Sequence, residues 1–201
     1  MPTGETAAEQ YFRSRAASYR DDSERGLWRW LRDREAKAVL TLSGSPVRLS
    51  VLDLGCGAGY YARLMARQGA AAVIAVDACR EMIDQVGDAA AETLTGDVAT
   101  IRLQRRFDLV LLAGVLEFVD DPAAALITAR EHLASGGRVI LLLPPSTLAG
   151  QLYRLFHRSH GVAIGLFDRR RLQSLAATAR LRLVAARSIH PYALACALEP
   201  A

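Results

Sequence analysis

The sequence predicts an α/β protein built on a doubly wound sheet, and three observations lead there. Short, unbroken apolar runs recur at residues 49–54, 72–76, 107–113 and 139–143; stretches of helical period separate them; and the first run ends in the turn Gly55-Cys56-Gly57-Ala58-Gly59. Runs of that length without alternation fit parallel strands covered on both faces, and parallel strands need helical crossovers.

Each element has its own signal. Residues 7–42 read as two helices, with Phe12, Ala16 and Tyr19 on one face of the first and Leu27, Trp28, Leu31, Val39 and Leu42 on one face of the second. The break falls near Asp21-Asp22-Ser23, where a serine suits a helix start. Glu35 lies on the second apolar stripe and is expected to pair with a nearby arginine, or else to reach substrate. Ser43-Gly44-Ser45-Pro46 ends the helical region. After the first strand, Tyr61, Leu64, Met65 and Gln68 share a face before the cap candidate Gly69, and Met82, Ile83 and Val86 mark the next helix. A short third strand precedes Gly96. Asp121-Pro122 opens a helix expected to run through Leu133. Beyond Pro144-Pro145, a short helix carries Leu148, Leu152, Leu155 and Phe156 on one face and Gln151, Arg154 and His157 on the other. A helix over 168–180 and two strands, 182–188 and 192–198, close the pattern, joined by Ile189-His190-Pro191.

With 201 residues and 51% hydrophobic content, one core and a single domain over 1–201 are expected, with 1–46 as a helical lid and 144–167 as an inserted cover. No apolar run approaches the ~18 residues of a membrane span, and the first residues lack the features of a secretory signal, so a soluble, cytoplasmic protein is expected. Cys56, Cys79 and Cys196 are too few and too far apart for a disulfide framework or a zinc site, and no metal is expected. The net charge is +4, and from residue 151 eight arginines face two acids. No nucleic-acid motif or aromatic platform accompanies them, so a small-molecule acceptor is favoured over nucleic acid.

The glycine turn carries the chemistry. Glycines at 55, 57 and 59 allow positive φ and close approach of a ligand, and the following helix points free N–H groups at it. Asp77, about twenty residues on, is placed to accept from a ribose diol. Gly57-Ala58-Gly59-Tyr60-Tyr61-Ala62 satisfies a dinucleotide pattern, so the turn by itself leaves a nicotinamide cofactor open. Asp53 points elsewhere, because an acid inside a turn that faces a pyrophosphate would repel it, whereas a sulfonium amino acid carries no phosphate. Asp97, after the third strand, can accept from an adenine amino group.

The segments VLDLGCGAG, AVD, GD and FDLVLLAGVLEFVDDP, in this order, resemble the motifs of class I S-adenosylmethionine-dependent methyltransferases, particularly small-molecule enzymes similar to those of ubiquinone, menaquinone and biotin biosynthesis. The resemblance covers residues 49 to 143 and implies a Rossmann-like sheet of about seven strands, mostly parallel with the last antiparallel. It implies further that S-adenosyl-L-methionine is the cofactor, with Asp53, Gly55, Cys56, Gly57 and Gly59 around its methionine part and Asp77 on the ribose. Ala78 would pack by the adenine, Asp97 and Val98 would complete that site, and the backbone at Ala113 and Gly114 would hold the amino-acid end. One position departs from the pattern: Phe118 stands where family members often carry histidine after the glutamate, here Glu117, which becomes a pocket or substrate-contact candidate.

Methyl transfer asks for alignment in a dry pocket, and for a base only when the acceptor must lose a proton. His157 and His160 are the candidates for that base where one is needed, although a surface position is the favoured reading of each; His132 and His190 read as structural or solvated. Tyr11, Phe12 and Tyr19 are expected to fold over the cofactor or pack in the core. With Leu148, Leu152, Phe156 and Phe167 they form a candidate lining for an apolar acceptor. The expected reaction is methyl transfer to an O, N or C nucleophile of a small, partly apolar metabolite. An RNA or protein methyltransferase and a non-catalytic S-adenosylmethionine-binding protein are the alternatives.

Overall fold

A computed structural model describes residues 6–23 and 26–201, without the side chains of residues 17–23, 27 and 89. Two helices, α1 (Ala7–Ser23) and α2 (Gly26–Ser43), precede a seven-stranded sheet. Its strands are β1 (Ser50–Leu54), β2 (Ala72–Asp77), β3 (Glu92–Thr95), β4 (Phe107–Ala113), β5 (Leu133–Leu143), β6 (Leu181–Ile189) and β7 (Ala193–Pro200), in the spatial order β3-β2-β1-β4-β5-β7-β6. The first five pair in parallel, and β7 runs antiparallel to both β5 and β6.

Alternation along buried strands sorts the core into two layers. Leu52 and Leu54 join Val110, Leu112 and Leu126 on the face covered by α5 (Pro122–Glu131) and α7 (Arg169–Thr178). Val51, Leu109 and Leu111 join Val39, Ala62 and Met65 on the face covered by α2 and α3 (Tyr60–Arg67). Burying each of these valine, leucine and methionine side chains contributes about 1.5–3 kcal/mol. The remaining helices are α4 (Arg80–Ile83), followed by a 3-10 turn, and α6 (Leu148–Ser159).

Caps fix the helix starts. Asp121 accepts the N–H groups of Ala123 and Ala124, both at 3.0 Å, with Pro122 in the first turn. Asp168 accepts that of Arg171 at 2.7 Å. Both are the arrangement in which a side chain satisfies orphan donors.

Two boundaries differ from the sequence expectation. The helix expected to reach Leu133 ends at Glu131, and Leu133 instead opens β5 by pairing with Phe107. The register then shifts before Leu109 pairs with Arg138, so Ser135-Gly136-Gly137 forms an irregular part of the strand. His132 is buried at this junction: its Nε2 accepts the Leu103 N–H at 2.8 Å, which leaves Nδ1 to donate to the Thr128 carbonyl at 2.7 Å.

Candidate functional site

The sheet order reverses at β1, whose neighbours β2 and β4 lead in opposite directions, and open α/β sheets bind ligands beyond the strand ends at such a point. A cavity of about 340 Å³ lies there. Its floor is the turn after β1. Gly55, Gly57 and Gly59 hold φ of 74°, 52° and 81°, a region that side chains occupy at a cost. A Cβ on Gly55 would overlap the Val115 methyl groups. The Gly55 and Cys56 N–H groups both donate to the Val76 carbonyl, at 2.7 and 2.9 Å, which pins the turn to β2. Gly59 precedes α3 without a side-chain cap, the helix end that in general suits an anionic or polar ligand group.

Asp77, at the end of β2, holds this turn from the side. One carboxylate oxygen accepts the Gly57 N–H at 2.8 Å and the other the Cys79 N–H at 2.9 Å. Asp77 and Ala78 line the cavity, as do Asp97 and Val98 beyond β3 and Ala113 and Gly114 beyond β4. Asp97 also shapes its own loop by accepting the Ala99 N–H at 2.8 Å. Gly55, Cys56 and Gly57 complete the set; Gly59 stands beside it against Val86. Three strand ends, β1, β2 and β4, and the loop after β3 thus converge on one space.

Two acids are placed differently. Asp53 does not line the cavity. It shares a face of β1 with Val51 and lies buried on the α3 side, with neither oxygen hydrogen-bonded. Burial, then the nearby Asp77, pushes its carboxyl up to about 7; the Ala62 N–H opposes the rise without reaching hydrogen-bond geometry. Glu117, in the turn after β4, is 5% exposed, and its Oε2 has no partner. Burial pushes it up to about 8, against its own backbone N–H and helped by Glu35.

These shifts predict a pH dependence of stability. Unfolded Glu117 ionises near 4.5 and folded Glu117 near 8, so between those values only the folded state holds the proton. Its contribution is complete below pH 4.5 and is lost as pH rises through 8, by up to about 1.4 kcal/mol per pH unit. Glu117→Gln is therefore expected to flatten the decline between pH 5 and 8 in denaturant titrations. Parallel curves for the variant and the parent would refute the assignment.

The histidine candidates stand outside the cavity. His157 is 4% exposed, with its ring edge-on to Tyr153, Phe118 and Tyr11 at 4.5, 5.2 and 5.5 Å. Burial, then His160 and Arg15, lowers it to about 4, so it is neutral at pH 7. It therefore occupies a packed joint between α1 and α6, which corrects the surface position expected for it. His160 is exposed; its Nδ1 pairs with the Phe156 carbonyl at 2.8 Å, and it borders a shallow groove with Tyr11, Ser14 and Arg15.

The cover is inverted relative to the expected acceptor lining. Leu148, Leu152, Leu155 and Phe156 face solvent, and Gly150, Tyr153 and His157 face inward. Phe167 is fully buried in the core beside Leu172 and is not part of the cavity lining. The reason is steric. Gly150 presses α6 onto the Pro145 carbonyl, where a Cβ would overlap that oxygen, so only the glycine face can approach closely.

The N-terminal helix does reach the site. Phe12 lines the cavity and meets Phe118 edge-on at 5.0 Å, while Tyr11 packs one layer out against His157. Gln85 donates to the Ala16 carbonyl, and Arg13 pairs with Glu81 at 3.3 Å, clamping α1 to α4. The side chain of Tyr19 lies outside the described residues.

Several lining residues escaped the sequence reading: Glu9 from α1, Arg32 from α2, and Tyr60, Tyr61 and Arg63 from α3. Arg32 sits over the Tyr60 ring at 5.0 Å, one turn before Glu35, whose carboxyl burial raises and Arg32 lowers. Arg63 donates to the Ala58 carbonyl at 2.6 Å. Its place four residues after Gly59 was the one signal available, since that spacing folds a long side chain back over the turn.

A seven-stranded sheet of this order, with a glycine turn and a strand-end aspartate at its switch point, defines a nucleoside-cofactor α/β fold. The chain belongs to the methyltransferase domain family, which matches residues 27–186. It is 39% identical over 115 residues to a ubiquinone biosynthesis O-methyltransferase of Cereibacter sphaeroides, covering 54% of this chain and 44% of that protein. It is 31% identical over 129 residues to a tRNA U34 carboxymethyltransferase of Vibrio vulnificus, covering 60% and 38%. The chain thus matches less than half the length of these relatives. Among solved structures, the magnesium protoporphyrin IX methyltransferase of Synechocystis with bound SAH superposes with a TM-score of 0.74 at 18% identity, over 96% of this chain and 98% of that one. That likeness establishes the shared fold. Among the described residues, no helix is long and apolar enough to cross a membrane.

Proposed function

We propose that the protein transfers a methyl group from S-adenosylmethionine to an O, N or C nucleophile of a small, partly apolar metabolite. The observation that carries this reading is the charge of the cavity lining. Glu9, Asp77, Asp97, Asp120 and Asp121 border it against Arg32 and Arg63, and Asp53 lies buried behind the glycine turn. Such a lining opposes a pyrophosphate and suits a cationic sulfonium with an α-amino group. When bound, that cofactor supplies a methyl carbon activated by positive sulfur. The chain's own work is to hold and enclose: Asp77 fixes the turn and meets the ribose, Asp97 and Val98 flank the adenine, and the backbone at Ala113 and Gly114 meets the amino-acid end. Phe12 on α1 closes over the cavity and keeps water out, the role of a lid.

Phe12, Met82, Phe118 and Val119 give the cavity an apolar side, which supports an apolar acceptor. Among the described residues no histidine borders it, which supports an acceptor that transfers its proton without His157 or His160.

A second reading, an RNA acceptor, draws on the eight arginines from residue 151 and on the tRNA-modifying relative. Part of that charge is committed elsewhere: Arg182 pairs with Glu199 at 2.8 Å, and Arg171 donates to the Leu166 carbonyl at 2.6 Å. The test is methyl transfer from labelled S-adenosylmethionine to a panel of phenolic, quinol and amine acceptors and to bulk tRNA, with calorimetry of S-adenosylhomocysteine binding. Binding with label on a small acceptor is expected. Label on tRNA alone selects the second reading, and absent binding overturns both.

A further inference from the structure

α1 brings an acid to the cavity. Ala8, Glu9 and Phe12 share a helix face that lines it, together with Thr6, and Ala16 on the same face packs against Ala58, Cys79 and Met82. The helix therefore lies across the glycine turn and the end of β2, and its carboxylate enters the space that Asp77 borders. Two observations put these acids near one another. Both line the cavity, and burial raises the Asp77 carboxyl with the Glu9 charge adding to the rise. Like charges held together cost free energy, and hydrogen-bond donors placed between them offset that cost.

The local bonds of Glu9 show what it keeps for a ligand. Its Oε2 accepts the Thr6 N–H at 2.7 Å, and its own N–H donates to the Thr6 hydroxyl at 3.2 Å. This is a capping box, in which either glutamate or glutamine serves. The cap alone therefore does not call for the charge, and Oε1 remains for the cavity. The Asp77 oxygens take one N–H each, from Gly57 and Cys79, and keep lone pairs for a further donor. A vicinal diol offers two O–H donors on adjacent carbons, one for each acid. We propose that Glu9 is a second carboxylate of the ribose site: it accepts one hydroxyl and Asp77 the other, so that the ligand itself fastens α1 over the cavity. The proposal rests on the S-adenosylmethionine reading. Gln85 on the Ala16 carbonyl and the Arg13–Glu81 ion pair hold the next turns of α1 to α4, so the turn that meets the ligand adjoins a fixed one.

Calorimetry of the full chain with S-adenosylhomocysteine, its 2′-deoxy and 3′-deoxy analogues and S-adenosylmethionine tests it. Glu9→Gln keeps the cap and should not lower the melting temperature of the free protein. It should weaken S-adenosylhomocysteine binding by about tenfold, because a hydrogen bond to a charged acceptor is roughly twice as strong as one to a neutral acceptor. S-adenosylmethionine should lose the same factor, since the ribose is common to both. One deoxy analogue, the one lacking the hydroxyl that Glu9 meets, should bind parent and variant equally. In hydrogen exchange, S-adenosylhomocysteine should slow the amides of α1 in the parent and do so less in Glu9→Gln. Equal affinity of parent and variant for S-adenosylhomocysteine, or an equal loss for it and both deoxy analogues, would overturn the proposal. So would a loss confined to S-adenosylmethionine, which would put Glu9 at the sulfonium. A parent that binds none of the four ligands overturns the cofactor reading along with it, whereas a parent that binds them beside an indifferent variant overturns the role of Glu9 alone.

Discussion

Asp77→Ala is expected to lower affinity for S-adenosylhomocysteine by about a hundredfold or more. The carboxylate accepts two backbone N–H groups, from Gly57 at 2.8 Å and Cys79 at 2.9 Å, and lines the cavity with its remaining lone pairs. Hydrogen bonds to a charged acceptor are worth about 1.5–3 kcal/mol each. Losing them frees the turn at the point where, on the proposed reading, its backbone meets the ligand, and the proposed ribose contact goes as well. Burial raises the Asp77 carboxyl, helped by Glu9, while the Cys79 and Gly57 N–H groups lower it. Asp77→Asn, which keeps one carbonyl acceptor, should bind with intermediate affinity. Calorimetry on both variants, with thermal melts of the free proteins, separates the possibilities. A folded Asp77→Ala protein with a lowered melting temperature and unchanged affinity would make the residue a turn support only.

That aspartate was legible in the sequence because its position is set locally: an apolar run must end where the strand leaves the sheet, and the residue there faces the crevice. The glycine turn was legible for the same kind of reason, since φ of 52° to 81° at alternate positions is the conformation that glycine adopts at least cost. Parallel strands buried on both faces also announce themselves, and the runs beginning at 49, 72, 107 and 139 all became strands.

What depends on distant partners was hidden. Glu9, Arg32 and Arg63 reach the cavity from three different helices, and no spacing in the chain encodes that meeting. The start of β5 was hidden because Ser135-Gly136-Gly137 has turn composition, while its pairing is dictated by β4 across a register shift. Asp53 was legible as an acid near the turn but not as one facing α3, because alternation along β1 assigns its face only once Val51 is known to pack on that side. Helical period showed that α6 has two unlike faces. Which of them turns inward is decided by shape, and the usual rule that apolar goes in gave the wrong answer.

Gly150→Ala tests that decision and is expected to be the more damaging of two substitutions on α6. Within a helix the change ordinarily stabilises by up to about 1 kcal/mol through propensity. Here the new Cβ would overlap the Pro145 carbonyl oxygen, a backbone atom with no rotamer to escape into. Over-packing of that kind costs about 1–3 kcal/mol or more, so the clash wins and the melting temperature should fall by several degrees. Leu152→Ala, two residues on, removes three carbons from a side chain that is 60% exposed and should change stability by no more than about 0.5 kcal/mol. The pair reverses the ordinary expectation, in which truncating a helical leucine is costly and adding a methyl to glycine is cheap. Thermal melts of the two variants therefore read the orientation of α6 directly: if Leu152→Ala proves the more destabilising, the leucine stripe lies against the protein and not toward solvent.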